Sequence, residues 1–128
     1  MSNLKGTERE NFIQTLARTS DEALDAAYGY GTAQPGTFGY AANVSGASEV
    51  LALMENGERD IEVLADASHE GWANTARTYE DPVYQTKPEK RTKRLELAAT
   101  SYYDLPDEEQ EKDRVAVRAL LNEYVRNF

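Results

Sequence analysis

DIEVLADASHEGWANTARTYEDP, residues 60–82, is the stretch on which the fold turns. Ile61, Leu64, Ala65, Ser68, Trp72, Ala76 and Tyr79 recur at steps of three and four, so at about 100° per residue they form one stripe of a helix. The recurrence sets in directly after Asp60. Asp81-Pro82 marks the stop, because proline disfavours helical backbone in the residue before it. The pattern predicts a long, central helix.

Working outward, SEVLALMENG (48–57) reads as the helix before it, capped by Ser45 or Ser48 and ended by Gly57 in the left-handed conformation. Further upstream, Thr7-Glu8-Arg9-Glu10 has capping-box spacing and predicts a helix through Phe12, Ile13 and Leu16 to about Arg18. Ser20-Asp21-Glu22 is read as the start of a second short helix. YGYGTAQPGTFGYAANVSG (28–46) mixes glycines with Tyr28, Tyr30, Phe38 and Tyr40 and is read as an aromatic loop. Downstream, 87–103 predicts a helix with Pro88 in its first turn. The last helix begins near Asp104 or Asp107 with the stripe Val117, Leu120, Leu121, Tyr124 and Phe128. Six acids between Asp104 and Asp113 crowd its first turns, where exposed N–H groups and the helix dipole favour negative charge.

No convincing run of alternating strands appears. The expected fold is mostly α, a compact single domain of about five to six helices with a Gly/aromatic loop and little or no β. Residues 1–57 supply N-terminal helices and the loop, and 58–128 a second helical section.

The 128 residues hold no cysteine, which excludes disulfides, thiolate zinc sites and cysteine nucleophiles. A net charge of −9 repels phosphate backbones and anionic lipid, so neither nucleic acid nor membrane is an expected partner. The longest charge-free run, 26–48, contains five glycines and a proline, a composition unsuited to crossing a bilayer. With no basic start followed by an apolar run, a signal peptide is not expected either, and the reading is a cytoplasmic protein.

His69 is the only histidine and cannot build a two-histidine metal motif. No serine sits in a nucleophile elbow, and the acids lack EF-hand spacing. Neither catalysis, nor a metal, nor a cofactor is expected. Trp72, the sole tryptophan, offers a stacking face and an N–H that needs a partner. Lys87, Lys90, Arg91, Lys93 and Arg94 form the basic cluster. On a helix Lys87, Arg91 and Arg94 share a face able to hold a phosphate or carboxylate. The competing reading has that face solvated and paired with the acids of 104–113.

The order Leu64-Ala65, His69-Glu70-Gly71-Trp72, Tyr103-Asp104-Leu105-Pro106, Glu109 and Lys112-Asp113-Arg114 resembles the repeat domain of ryanodine receptors, the RyR domain, across about 61–124. That family also occurs in bacterial and phage proteins. The resemblance implies a helical module without enzymatic activity that senses small, nucleotide-derived ligands, with His69, Trp72, Tyr103 and Arg114 at the matching positions. Where the family carries a second Gly-Trp followed by Tyr-Gly, this chain has Tyr79 and Tyr84.

Together these readings give a non-catalytic binding module. In it the helices of 58–79 and 105–127 leave a cleft lined by His69, Trp72, Tyr79, Tyr84 and Tyr103, with Arg77, Lys87, Arg91 or Arg114 meeting the negative charge of a small nucleotide-like anion. Such a module would sequester its ligand, as a phage anti-defence sponge does. The alternative is an acidic structural or protein-interaction domain that forms homo-oligomers or docks through the Tyr-rich loop.

Overall fold

The computed structural model describes residues 4–128 and contains five α-helices, two short 3-10 turns and, among the described residues, no strand. The helices are α1 (Gly6–Tyr28), α2 (Phe38–Glu55), α3 (Ile61–Thr78), α4 (Glu89–Ala98) and α5 (Asp107–Asn127). The mostly-α expectation holds. None of the helices is long and apolar enough to cross a membrane.

α3 is the central element, packed against α2, α4 and α5, while α1 lies across α2 and α5. The Asp60 carboxylate accepts from the Glu62 N–H at 2.8 Å and starts α3 where the sequence placed it. Leu64, Ala65, Ala73 and Ala76 are buried, and so are Gly71 and Thr75. Burial therefore extends beyond one stripe. The reason is the approach of α2: a Cβ on Gly71 would stand 2.6 Å from the Gly46 nitrogen and 2.7 Å from its Cα. The two backbones touch with no side chain between them.

Several predicted boundaries are corrected. α1 runs unbroken through Ser20, whose hydroxyl donates to the Ala17 carbonyl at 2.9 Å instead of capping a new helix. The helix ends at Gly29 in the left-handed region, with φ 71°. Asp21 and Asp25 then pin the following segment. The Asp25 carboxylate accepts from the Gly31 N–H, and Asp21 accepts from the Ala33 N–H at 2.8 Å and from the Asn43 amide at 3.2 Å. At the other end of α1 the N-cap is Lys5, with no side-chain cap bond, so the Thr7 capping box is not used.

The second correction concerns 28–46. Thr37 caps α2, its hydroxyl oxygen accepting from the Tyr40 N–H, so the helix starts at Phe38 and the loop shrinks to 29–37. Gly39 and Gly46, read as breakers, lie inside the helix. Gly46 serves the contact with α3. Gly57 does end the passage out of α2, with φ 94°.

α4 stops at Ala98 instead of running to 103. Donors on α3 take the carbonyls at its end: the Arg77 guanidinium donates to Ala98 O and the His69 ring meets Thr100 O, both at 2.8 Å. Pro106 precedes α5, whose first turn holds Asp107, Glu108 and Glu109. Val117, Leu120 and Tyr124 are buried as expected, and the exposed Phe128 ring still packs edge-on against Phe12.

A helix-interior glycine replaced by alanine normally gains up to about 1 kcal/mol from helix propensity. Gly71→Ala should do the opposite and destabilise the fold by roughly 1–3 kcal/mol through overpacking. Gly39→Ala, whose Cβ would meet only the Ala33 Cβ at 3.4 Å, should be neutral or stabilising. Urea unfolding of the two variants checks the contrast.

Candidate functional site

All five helices and the 29–37 loop border one cavity of about 580 Å³. Its volume lies in the range of small-molecule sites. The apolar wall comes from Leu24, Ala42, Ala47, Leu97, Leu105 and Leu120. Small residues on α2 and α5, including Gly46, Ala47 and Ala116, leave the room.

Three rings form one side. Trp72 stacks on His69 with centroids 5.9 Å apart and planes 14° from parallel, and the Phe38 ring meets the indole edge-on at 6.0 Å. Trp72 is half-buried, and its indole N–H has no hydrogen-bond acceptor among the described residues. Tyr30, on the loop, stands at the margin with the Lys112 ammonium 5.8 Å from its ring centre. Lys93 of α4 also lines the cavity and forms no ion pair among the described residues. Lys112 is bonded to Glu109 at 3.1 Å.

The polar pair in the cavity wall is the buried His69 and the partly buried Asp113. His69 is 6% exposed. With Nε2 held 2.8 Å from the Thr100 carbonyl oxygen, that nitrogen carries a proton, and in the neutral form of the ring Nδ1 turns a lone pair toward Asp113, 4.0 Å away. The Asp113 side chain is 19% exposed and makes no hydrogen bond among the described residues. Burial chiefly, then the negative charges of Glu109 and Asp66, push its carboxyl up to about 7, against the pull of Lys112. Asp113 can therefore exist in either protonation state near neutrality.

Of the nine residues singled out from the sequence, His69 and Trp72 line this cavity. The other seven do not. Arg77 is bound to Ala98 O, Asn74 and Glu70 on the far flank of α3. Tyr79 packs edge-on against Phe38 and donates its hydroxyl to Gly36 O at 2.8 Å, tying the loop to the end of α3. The Tyr84 ring receives the guanidinium groups of Arg91 and Arg94. Arg91 pairs with Glu80 at 2.8 Å, and Lys87 is exposed. Tyr103 is 58% exposed outside the cavity. Arg114 bonds Glu62, Asp107, Gln110 and Glu111, and Glu62 also accepts a short bond from the buried Tyr102 hydroxyl. Those contacts make Arg114 a clasp between α3 and α5.

The basic cluster also divides. Arg94 turns inward, its guanidinium carbon 3.8 Å above the Phe38 ring, bonding Asp81 at 2.8 Å and the Tyr84 hydroxyl at 3.1 Å. The Arg94 bond holds the Asp81 carboxyl below its usual range. The cluster thus pairs with Glu80 and Asp81, not with the acids of 104–113. Sequence reasoning missed Lys93, Lys112, Asp113, Phe38 and Tyr30 as cavity residues. Asp113 was counted as a helix-start acid, although its spacing from Val117 and Leu120 places it on the buried side. Among the described residues no three His, Cys, Asp or Glu side chains are placed to hold a metal ion.

Because the folded-state Asp113 carboxyl sits near 7, above its ordinary 3.8, protonation favours the fold. That stabilisation is full below pH about 4 and is lost as pH rises through about 7. Asp113→Asn should raise stability by roughly 1–3 kcal/mol at pH 8, and the gain should shrink toward zero near pH 4. Thermal or urea unfolding across that range measures it.

No family model, curated protein or solved structure matches this chain.

Proposed function

We propose that this chain is a non-catalytic receptor for a small planar anion of nucleotide type, held in the cavity between the helices. The observation that carries the reading is the conjunction of a stacking wall, Phe38, Trp72 and His69, with the amine of Lys93 and an indole N–H that has no acceptor among the described residues, around about 580 Å³ of largely apolar space. A ring system gains stacking on the wall, worth about 1–3 kcal/mol per base where aromatic platforms bind nucleotides. The charged part of the ligand reaches Lys93, and Lys112 strengthens the positive side of the mouth. Apolar contact supplies most of the affinity, and the few polar groups set orientation.

A binding role is favoured over an enzymatic one by the bonds that His69 and Ser20 make within the fold. His69 Nε2 is engaged with Thr100 O, and the Ser20 hydroxyl donates to Ala17 O, so neither is poised as a base–nucleophile pair. The RyR resemblance supports the same reading through His69 and Trp72, two of its matching positions, which share the cavity wall. Its other two, Tyr103 and Arg114, contribute outside it.

Calorimetry with AMP, GMP, cyclic dinucleotides and ADP-ribose tests the proposal. Saturable binding by at least one, accompanied by quenching of the single tryptophan, is expected. Trp72→Ala should weaken that binding by about fivefold or more, the lower end of the stacking range. Lys93→Ala should weaken it several-fold, with the difference fading at high salt. Silence across the panel, or a fluorescence change that tracks protein concentration alone, would replace this reading with an oligomerising interaction domain.

A further inference from the structure

We propose that Asp113, with His69 beside it, is an acceptor pair at the buried end of the cavity that selects a heterocycle presenting adjacent N–H donors, an amino-substituted ring edge of the guanine type. The inference rests on the receptor reading above and names the part of the ligand that enters first.

The geometry supplies two acceptors and no donor between them. His69 gives its only neutral-state proton to the Thr100 carbonyl, so Nδ1 faces the cavity as a lone pair. The nearer Asp113 oxygen is 4.0 Å away, too far for a hydrogen bond to the ring yet close enough for one donor-rich group to reach both. A buried acceptor without a partner costs free energy that a matching ligand recovers. A ligand edge carrying only acceptors would place like polarity against like. Stacked parallel to the imidazole, Trp72 keeps the pair against one wall, which suits a flat ligand more than a branched one.

Charge around the pair bears on the state in which it works. Asp113 faces His69 and Asp66 of α3 and Glu109 and Lys112 of its own helix, while Asp21 of α1 and Lys93 of α4 line the same cavity. Burial and the carboxylates among these groups raise the Asp113 carboxyl to about 7. A ligand offering N–H donors needs the ionised form. Binding therefore strengthens as pH rises through neutrality and expels a proton when it occurs below that point.

The closing experiment compares GMP with IMP, which shares its ring, sugar and phosphate and lacks only the exocyclic amino group. On the intact chain GMP should bind at least tenfold more tightly than IMP, and Asp113→Asn should bring the two within about twofold of each other. GMP affinity should rise about tenfold between pH 6 and pH 8, the change in ionised fraction for a group titrating near 7. In Asp113→Asn the rise should shrink to the roughly twofold that titration of the phosphate near 6 supplies. Equal binding of GMP and IMP, or a preference that survives Asp113→Asn, overturns this inference and leaves the receptor reading intact. Binding of neither, with AMP and ADP-ribose equally silent, overturns both.

Discussion

The contact between Gly46 and Gly71 governs the arrangement of everything else. Two helices ordinarily stand 8–10 Å apart because side chains intervene. Here the α2 and α3 backbones meet so closely that a single methyl group on Gly71 would overlap main-chain atoms. Both glycines forgo helix propensity, a cost of about 1 kcal/mol each. In return α3 is drawn deep enough to be covered by α2, α4 and α5 at once, which a helix of its mixed composition would not otherwise achieve.

That crossing also sets the site. Gly46 lines the cavity, Gly71 sits between His69 and Trp72 in sequence, and the turn geometry of α3 sends the imidazole and the indole to the side where α5 and the 29–37 loop stand off. Space is kept there by small side chains, while the main core of Leu16, Val50, Leu51, Met54, Leu64 and Val117 closes the rest of the bundle. The domain therefore combines one well-packed end with one open end. Polar clasps mark the change: Arg114 joins α3 to α5, and Arg94 joins α4 to Asp81 and Phe38. Three arginines that a composition-based reading would assign to an anion, Arg77, Arg94 and Arg114, are instead part of the scaffold. Cations with less to hold, Lys93 above all, stand at the cavity.

The loop is similarly anchored. Asp21 and Asp25, one turn apart on α1, accept backbone N–H groups of 29–37, and Tyr79 binds the carbonyl of Gly36. Tyr30 projects from this segment beside Lys112, so the mouth of the cavity is shaped by residues drawn from opposite ends of the chain.

Much of the helical content was legible in the sequence, because its signals act over one turn. The start of α3 after Asp60, the Gly57 stop, Pro106 before α5 and the three-and-four spacing of Leu64, Ala65, Trp72 and Ala76 each depend only on near neighbours. Where the reading failed, a bond or contact that the residue pattern does not reveal had changed the local outcome. Ser20 remained helical because its hydroxyl found a carbonyl within its own helix. Gly46 was helical because a neighbouring backbone required its bareness, and Gly39 because the Thr37 cap started the helix ahead of it. α4 ended early because Arg77 and His69 claimed its carbonyls. The composition of the site followed the same division: His69 and Trp72 were found on the stripe of a single helix, whereas Asp113 and Lys93 joined them only through packing. The sequence by itself determined that the chain is helical and part of what faces inward on α3 and α5, Leu64, Ala65 and Ala76 on the one and Val117, Leu120 and Tyr124 on the other. Tertiary structure alone decided which side chains share the cavity, since pairs such as Asp21–Asn43, His69–Thr100 and Glu62–Arg114 lie 22, 31 and 52 residues apart, far beyond the reach of any helical period.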